Sequence, residues 1–262
     1  MIHLEGRTSI EAALVAGRRR IQVILVKAGA HEDKLGALLA AAQRRAVAVK
    51  RVDAAELDGL THGASHGGVV AVCVPLPMPD ESELLALLDG RTRAPLLLLL
   101  EGISDDRNLG FTLRSAEALG ATAVLLKKHL FDFDETEVAR TSSGAFERLP
   151  LVRIDRETEL LRELERRGFA FVGCIGRAAR TIYDVDLRGP TVLCIGGEKR
   201  GLSAAVRRGC TTFARIPMAS AVTSLSMSHA TAVLLAEAAR QRLQKGPRVQ
   251  NGAPAPPEEP LP

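Results

Sequence analysis

Leu96-Leu-Leu-Leu-Leu100 runs into Glu101-Gly-Ile-Ser-Asp-Asp-Arg-Asn-Leu-Gly110, with Arg114 shortly after. The leucine run is strand-sized, and the polar, glycine-bearing stretch behind it reads as a loop that opens a helix. The same order recurs twice downstream. Thr191-Val-Leu-Cys-Ile195 leads into Gly196-Gly-Glu-Lys-Arg-Gly-Leu-Ser203. A strand expected at 212–217 leads into Ile216-Pro-Met-Ala-Ser-Ala-Val-Thr-Ser-Leu-Ser-Met-Ser228. In a parallel α/β sheet, ligands bind outside the carboxyl ends of the strands. Small residues there let a ligand approach the backbone. Three such loops predict one composite site.

Working outward, the pattern predicts further strands at 122–127, 149–154 and 170–175. Helices are expected at 108–119, 134–140, 156–167, 203–208 and 225–243. Upstream, Ile21–Val26, Val47–Val52 and Val69–Val74 read as strands. Ser9 is placed as the cap of a helix ending at Gly17, and Asp53 as the cap of another. Residues 1–74 thus form an α/β unit of their own, separable from the rest. Pro75-Leu-Pro-Met-Pro-Asp80 opens a linker over 75–94. The main domain spans 95–245. The proline-rich tail, 246–262, is expected to be disordered.

The totals fit this organisation. The chain has 262 residues, 46% hydrophobic, with net charge +4. That charge is compatible with RNA but does not identify it. Aromatic residues make up 3%, with Tyr183 the one tyrosine and no tryptophan, which disfavours a base-stacking platform. Cys73, Cys174, Cys194 and Cys210 form no Cys-x-x-Cys pair and read as buried free thiols of a cytoplasmic protein. The first residues lack the basic and then apolar start of a signal peptide. No apolar stretch reaches the ~18 residues of a membrane span. His62 and His66 are four apart in a glycine-rich loop with no third ligand nearby, so no metal site is expected.

The chain carries no nucleotide-binding fingerprint. Gly196 and Gly201 have Walker A spacing, but Leu202 stands where the lysine must be. The glycines do not fit Gly-x-Gly-x-x-Gly either. A nicotinamide-dependent oxidoreductase therefore lacks its signature. A small, largely neutral ligand held by backbone groups fits better.

Three motifs, in order and in register, resemble the SpoU/TrmH-type RNA 2′-O-ribose methyltransferases of the SPOUT class. They are Asn108-Leu-Gly-Phe-Thr-Leu-Arg114, Ile195-Gly-Gly-Glu-Lys-Arg-Gly-Leu-Ser203, and Ile216-Pro-Met through Ser224-Leu-Ser-Met-Ser228. Thr141-Ser-Ser-Gly-Ala145 is similar to the family's link between motifs, and the likeness covers about 95–243. Residues 1–74 resemble the small ribosomal-protein-like substrate-binding domain often fused in front.

The resemblance implies an α/β domain with a deep trefoil knot, a homodimer, and S-adenosylmethionine as cofactor. It places Gly196, Ile216 and Leu225 at the cofactor. It places Arg114, Asn108 and Glu198 in catalysis. A cationic Arg114 suits phosphate binding and stabilisation of a developing alkoxide better than general-base work. Asn108 either orients its loop or caps its helix, or does both. Glu198 either anchors the second loop or takes the proton. Each of the three also has an ordinary reading as surface charge or cap. Ser226 stands where the family usually has asparagine, and it is placed as a helix cap. Arg18-Arg-Arg20 reads equally as a solvated helix end or an RNA contact. The implied substrate is 23S-type ribosomal RNA. A transfer-RNA ribose methyltransferase and a non-catalytic RNA-binding or ribosome-assembly protein are the alternatives.

Overall fold

The computed structural model describes residues 1–30, 35–61, 66–127, 132–154, 157–197, 200–219 and 224–244. The tail 246–262 lies outside them, as do Glu198 and His62.

The N-terminal elements are β1 (Ile2–Glu5), α1 (Arg7–Ala16), β2 (Ile21–Lys27), α2 (Gly36–Arg44), β3 (Ala48–Val52), α3 (Ala54–Leu60) and β4 (Val69–Cys73). The strands pair in the order β1-β4-β2-β3. Asp53 caps α3 by accepting the Glu56 N–H, as its sequence position predicts. Gly17 closes α1 in the left-handed conformation, with φ +62°, which favours glycine. The helix starts earlier than expected, at Arg7 behind Gly6. Ser9 is not its cap: it is buried inside α1 and donates to the Ala139 carbonyl at 3.2 Å.

The stretch expected as a linker carries a helix, α4 (Glu81–Asp89), held by an Asp80–Glu83 capping box. Then come β5 (Leu96–Leu100), α5 (Asp106–Ala118), β6 (Ala123–Lys127), α6 (Glu135–Thr141), α7 (Ala145–Arg148), β7 (Leu151–Ile154), α8 (Glu157–Arg166) and β8 (Ala170–Cys174). A short β9 (Arg180–Thr181) and a 3₁₀ turn (Ile182–Asp184) precede β10 (Thr191–Ile195), α9 (Ala204–Gly209), β11 (Thr212–Arg215) and α10 (Met227–Leu243).

Among the described residues these strands form one parallel sheet of order β7-β6-β5-β10-β8-β11-β9. Every leucine of β5 is buried, because helices cover both faces. The order turns at β5: the chain first builds outward through β6 and β7, then crosses to β8. Strand β10 later inserts between β5 and β8. A crevice opens at such a switch point, outside the carboxyl ends of the strands.

The two domains share one apolar core. Leu4, Ile10 and Ala13 of the first pack in the same cluster as Val138, Ala139 and Phe146 of the second. The N-terminal pattern suggests separability because it shows only each element's inner face. The outer faces of β1 and α1 are buried too, against α6 and α7.

Candidate active site

The three loops do converge at the carboxyl ends of β5, β10, β8 and β11. Between β8, β10, β11 and the start of α10 lies a cavity of about 270 Å³. Gly196, Ile216 and Leu225, singled out in the sequence, all line it. Its other walls are largely apolar, from Ile175, Ile195, Met227 and Leu234. Arg215 also borders it, but its guanidinium is spent on the carbonyls of Ala178 and Ala179 at 2.7 and 2.6 Å. Burial pushes the thiol of the lining residue Cys174 up to about 12, so it stays neutral near pH 7. The cavity therefore offers apolar walls and backbone polar groups. That donor set suits a flat, weakly charged heterocycle such as adenine. Among the described residues no group of three His, Cys, Asp or Glu side chains is placed to hold a metal.

Glycine builds the mouth of this cavity. A Cβ on Gly196 would lie 2.3 Å from the Gly201 carbonyl carbon. One on Gly197 would lie 2.9 Å from the Gly102 Cα. The second loop thus folds against both its own return and the first loop. The Gly201 N–H donates to the Gly197 carbonyl at 2.8 Å and closes it.

A second cavity, about 620 Å³, adjoins the first through Gly197, Gly201 and Met227. Charged and polar side chains contribute to its lining: Glu101, Ser104, Asp105, Asn108, Lys127, Arg200 and Ser203. Glu101 is buried at the end of β5. Its carboxylate accepts the Ser203 N–H at 2.7 Å and pairs with the Lys127 ammonium. Lys127 also donates to Ser203 Oγ at 3.3 Å. This triad ties the strand ends of β5 and β6 to the start of α9. Neither Glu101 nor Lys127 stands out as a site residue in the sequence. The available signal is a charged residue ending an apolar strand, since a strand's carboxyl end faces the crevice.

Asn108 is not the cap of α5. Asp105 takes that role, accepting the Asn108 N–H at 2.7 Å. The Asn108 side chain is left to orient the loops: its Oδ1 accepts the Ser228 N–H at 3.1 Å. Ser226 does cap α10, accepting the His229 N–H, and its Oγ lies 2.6 Å from His229 Nδ1. Arg114 lines neither cavity. It sits on the exposed face of α5 and makes no hydrogen bond or ion pair with a described residue. Phe111, 47% exposed, lies one turn before it on that face.

Other expectations fall differently. His66 is a structural residue, buried, with Nε2 at 2.9 Å from Asp58 Oδ1 and Nδ1 accepting the Gly68 N–H. All four cysteines are free, but only Cys73 and Cys194 are fully buried. Cys174 and Cys210 are partly exposed because they lie at strand and helix ends. No described helix is long and apolar enough to cross a membrane.

Residues 95–236 match the SpoU rRNA methylase family. Residues 3–79 match the RNA 2′-O ribose methyltransferase substrate-binding domain. A 23S rRNA (guanosine-2′-O-)-methyltransferase RlmB of Pseudomonas aeruginosa is 38% identical over 90% of this chain and 95% of its own. The enzyme of that name from Xylella fastidiosa is 37% identical, with the same coverage. The SpoU methyltransferase AviRb of Streptomyces viridochromogenes, solved with AdoMet, superposes with TM-score 0.77 at 27% identity. That match covers 92% of this chain and 90% of AviRb. A chain with this cavity pair, and these likenesses along both of its domains, belongs to the SpoU family: it is an S-adenosylmethionine-dependent RNA 2′-O-ribose methyltransferase.

Proposed function

We propose that this enzyme methylates the 2′-hydroxyl of a guanosine in 23S ribosomal RNA, in the cytoplasm and as a homodimer. The likeness to RlmB enzymes along the whole chain, substrate-binding domain included, carries the choice of target.

S-adenosylmethionine supplies an electrophilic methyl group, and its adenosyl part suits the smaller cavity. Gly196, Ile216 and Leu225 would hold it, largely through backbone groups. The adjoining cavity, with its charged and polar side chains, receives the nucleotide, so that the two reactants meet where the cavities join, at Gly197, Gly201 and Met227. Holding them in line is a large part of catalysis. Asn108 fixes the first loop to α10 at this junction. Arg114 binds the target phosphate and stabilises negative charge developing on the ribose oxygen. Glu198 either anchors the second loop or accepts the hydroxyl proton.

Arg114 is exposed and away from both cavities, and this supports a homodimer in which the outer face of α5 meets a second site. Phe111 on that face supports the same arrangement. The trefoil knot belongs to this reading too. Strand β11 pairs outside β8, yet α10 returns to pack on α5 near the sheet's centre.

Ribose methylation should be mapped across ribosomal and transfer RNA from cells lacking this gene. Loss of one 2′-O-methylguanosine in 23S rRNA, restored by the wild-type gene, is expected. Loss of a transfer-RNA methyl group instead would overturn the target.

A further inference from the structure

The N-terminal domain does not hang from its linker. Arg19 follows α1, and its side chain is wholly buried, as is that of Glu147 on α7. Arg19 Nε and Nη2 donate to the two carboxylate oxygens of Glu147 at 2.9 and 2.7 Å. Its Nη1 pairs with Glu135 at the start of α6, at 3.2 Å, and donates to the Val74 carbonyl at 3.4 Å. The guanidinium also sits 5.7 Å from the centre of the Phe146 ring. Glu135 in turn accepts the Leu76 N–H at 2.9 Å. One arginine therefore ties α6, α7 and the interdomain connection to a single point. The neighbouring Arg18 reaches the carbonyls of Glu147 and Leu149 at 3.3 and 3.4 Å.

The chemistry of this knot of charge is informative. Apolar contact is non-directional and lets surfaces slide. A bidentate guanidinium–carboxylate pair fixes distance and angle. Burying such a pair costs desolvation and adds little net stability, so its yield is geometric. That geometry is passed on within one packing layer. Helices α6 and α7 both pack on α5, which carries Asn108 and Arg114. A Cβ on Gly110 of α5 would lie 1.9 Å from Thr141 Oγ1, so little separates α5 from α6.

We propose that Arg19 is a positioning residue: it makes the N-terminal domain a rigid arm, whose fixed distance from α5 selects which ribose of a bound RNA is methylated. The ribose rests on the 23S rRNA reading above; the rigid arm rests on the clamp alone. The connection at 74–76 is then no hinge, because its own backbone groups are held by Arg19 and Glu135.

Two full-length variants test this. Arg19→Lys keeps the charge and loses the fork. Arg19→Met with Glu147→Gln removes the pair without stranding the wholly buried Glu147 carboxylate, while Glu135 keeps the Leu76 N–H and some contact with water, and it decides the matter should the lysine variant not fold. Amide exchange at Val74, Leu76 and Met78 should accelerate about tenfold or more in both, the scale expected for losing a charged hydrogen bond. KM for whole 23S rRNA should rise about tenfold while kcat and cofactor affinity hold. New methylated riboses should appear beside the original one. Unchanged exchange in both variants would overturn the rigid arm. Faster exchange with the same KM and the same single ribose would overturn its role in selection. If the wild-type enzyme methylates no 23S ribose, the target reading fails instead, and the exchange arm still decides the clamp.

Discussion

Asn108 Oδ1 accepts the backbone N–H of Ser228 at 3.1 Å, so one side chain joins the first loop to the first turn of α10. The cavity wall residue Met227 precedes that N–H. Asn108 therefore holds the wall shared by the two cavities. Asn108→Ala should cost about 1 kcal/mol, or roughly 2–4 °C in melting temperature, with a fall in turnover. Asn108→Asp keeps the acceptor and should melt within a degree or so of wild type. Thermal melts beside methylation rates check both.

Arg114→Ala should abolish methyl transfer and leave S-adenosylmethionine affinity unchanged, because Arg114 lines neither cavity. Losing a contact made only in the transition state lowers turnover and not ground-state binding. Arg114→Lys should rescue poorly, lacking the planar fork. Single-turnover methylation with parallel calorimetry decides; near-normal methylation in the alanine variant would return Arg114 to the ordinary surface.

Gly196→Ala should destroy cofactor binding. Its methyl group would meet backbone at 2.3 Å, which no rotamer change relieves. The loop must shift, at about 1–3 kcal/mol of overpacking. Calorimetric titration should show no binding while circular dichroism shows a folded protein.

Ser226→Ala should destabilise α10 by about 1 kcal/mol through loss of its cap, whereas Ser226→Asn, also a good cap, should melt like wild type. Comparing the melts tests the capping role. Methylation by the asparagine variant shows whether the residue usual in the family adds rate here.

Glu237 gives a pH dependence with a definite sign. The Arg240 guanidinium, hydrogen-bonded to it, holds its carboxyl below the usual range. A carboxyl lowered in the folded state adds stability above its unfolded value, about 4.3, and that stability is lost as pH falls through the lower folded value. Glu237 also accepts from Gln241, which binds the Val185 carbonyl and the Leu187 N–H. Protection of the amides at 185–187, measured as exchange relative to the intrinsic rate at each pH, should therefore fall as pH drops below about 4, and Glu237→Gln should flatten that fall.

Residue order alone determined much of this protein. A run of apolar residues followed by a small-residue loop must be a buried strand ending at a crevice. Hence Leu96–Leu100 and Thr191–Ile195 are legible as strands and their loops as parts of one site, while the choice of Gly196, Ile216 and Leu225 comes from the family resemblance. The caps at Asp53 and Ser226 were legible because capping is local. The motifs from Asn108 to Ser228 carried the family. Tertiary structure alone decided what depends on partners distant in sequence. Asn108 looks like a cap until Asp105 takes that place and Ser228 claims the carboxamide. Glu101 and Lys127 acquire meaning only when β5 and β6 lie side by side. Arg19, one of three consecutive arginines, looks like solvated charge until Glu147, 128 residues away, removes it from water. Periodicity reports which face of an element is apolar; it is silent on which distant surface arrives to bury a charge.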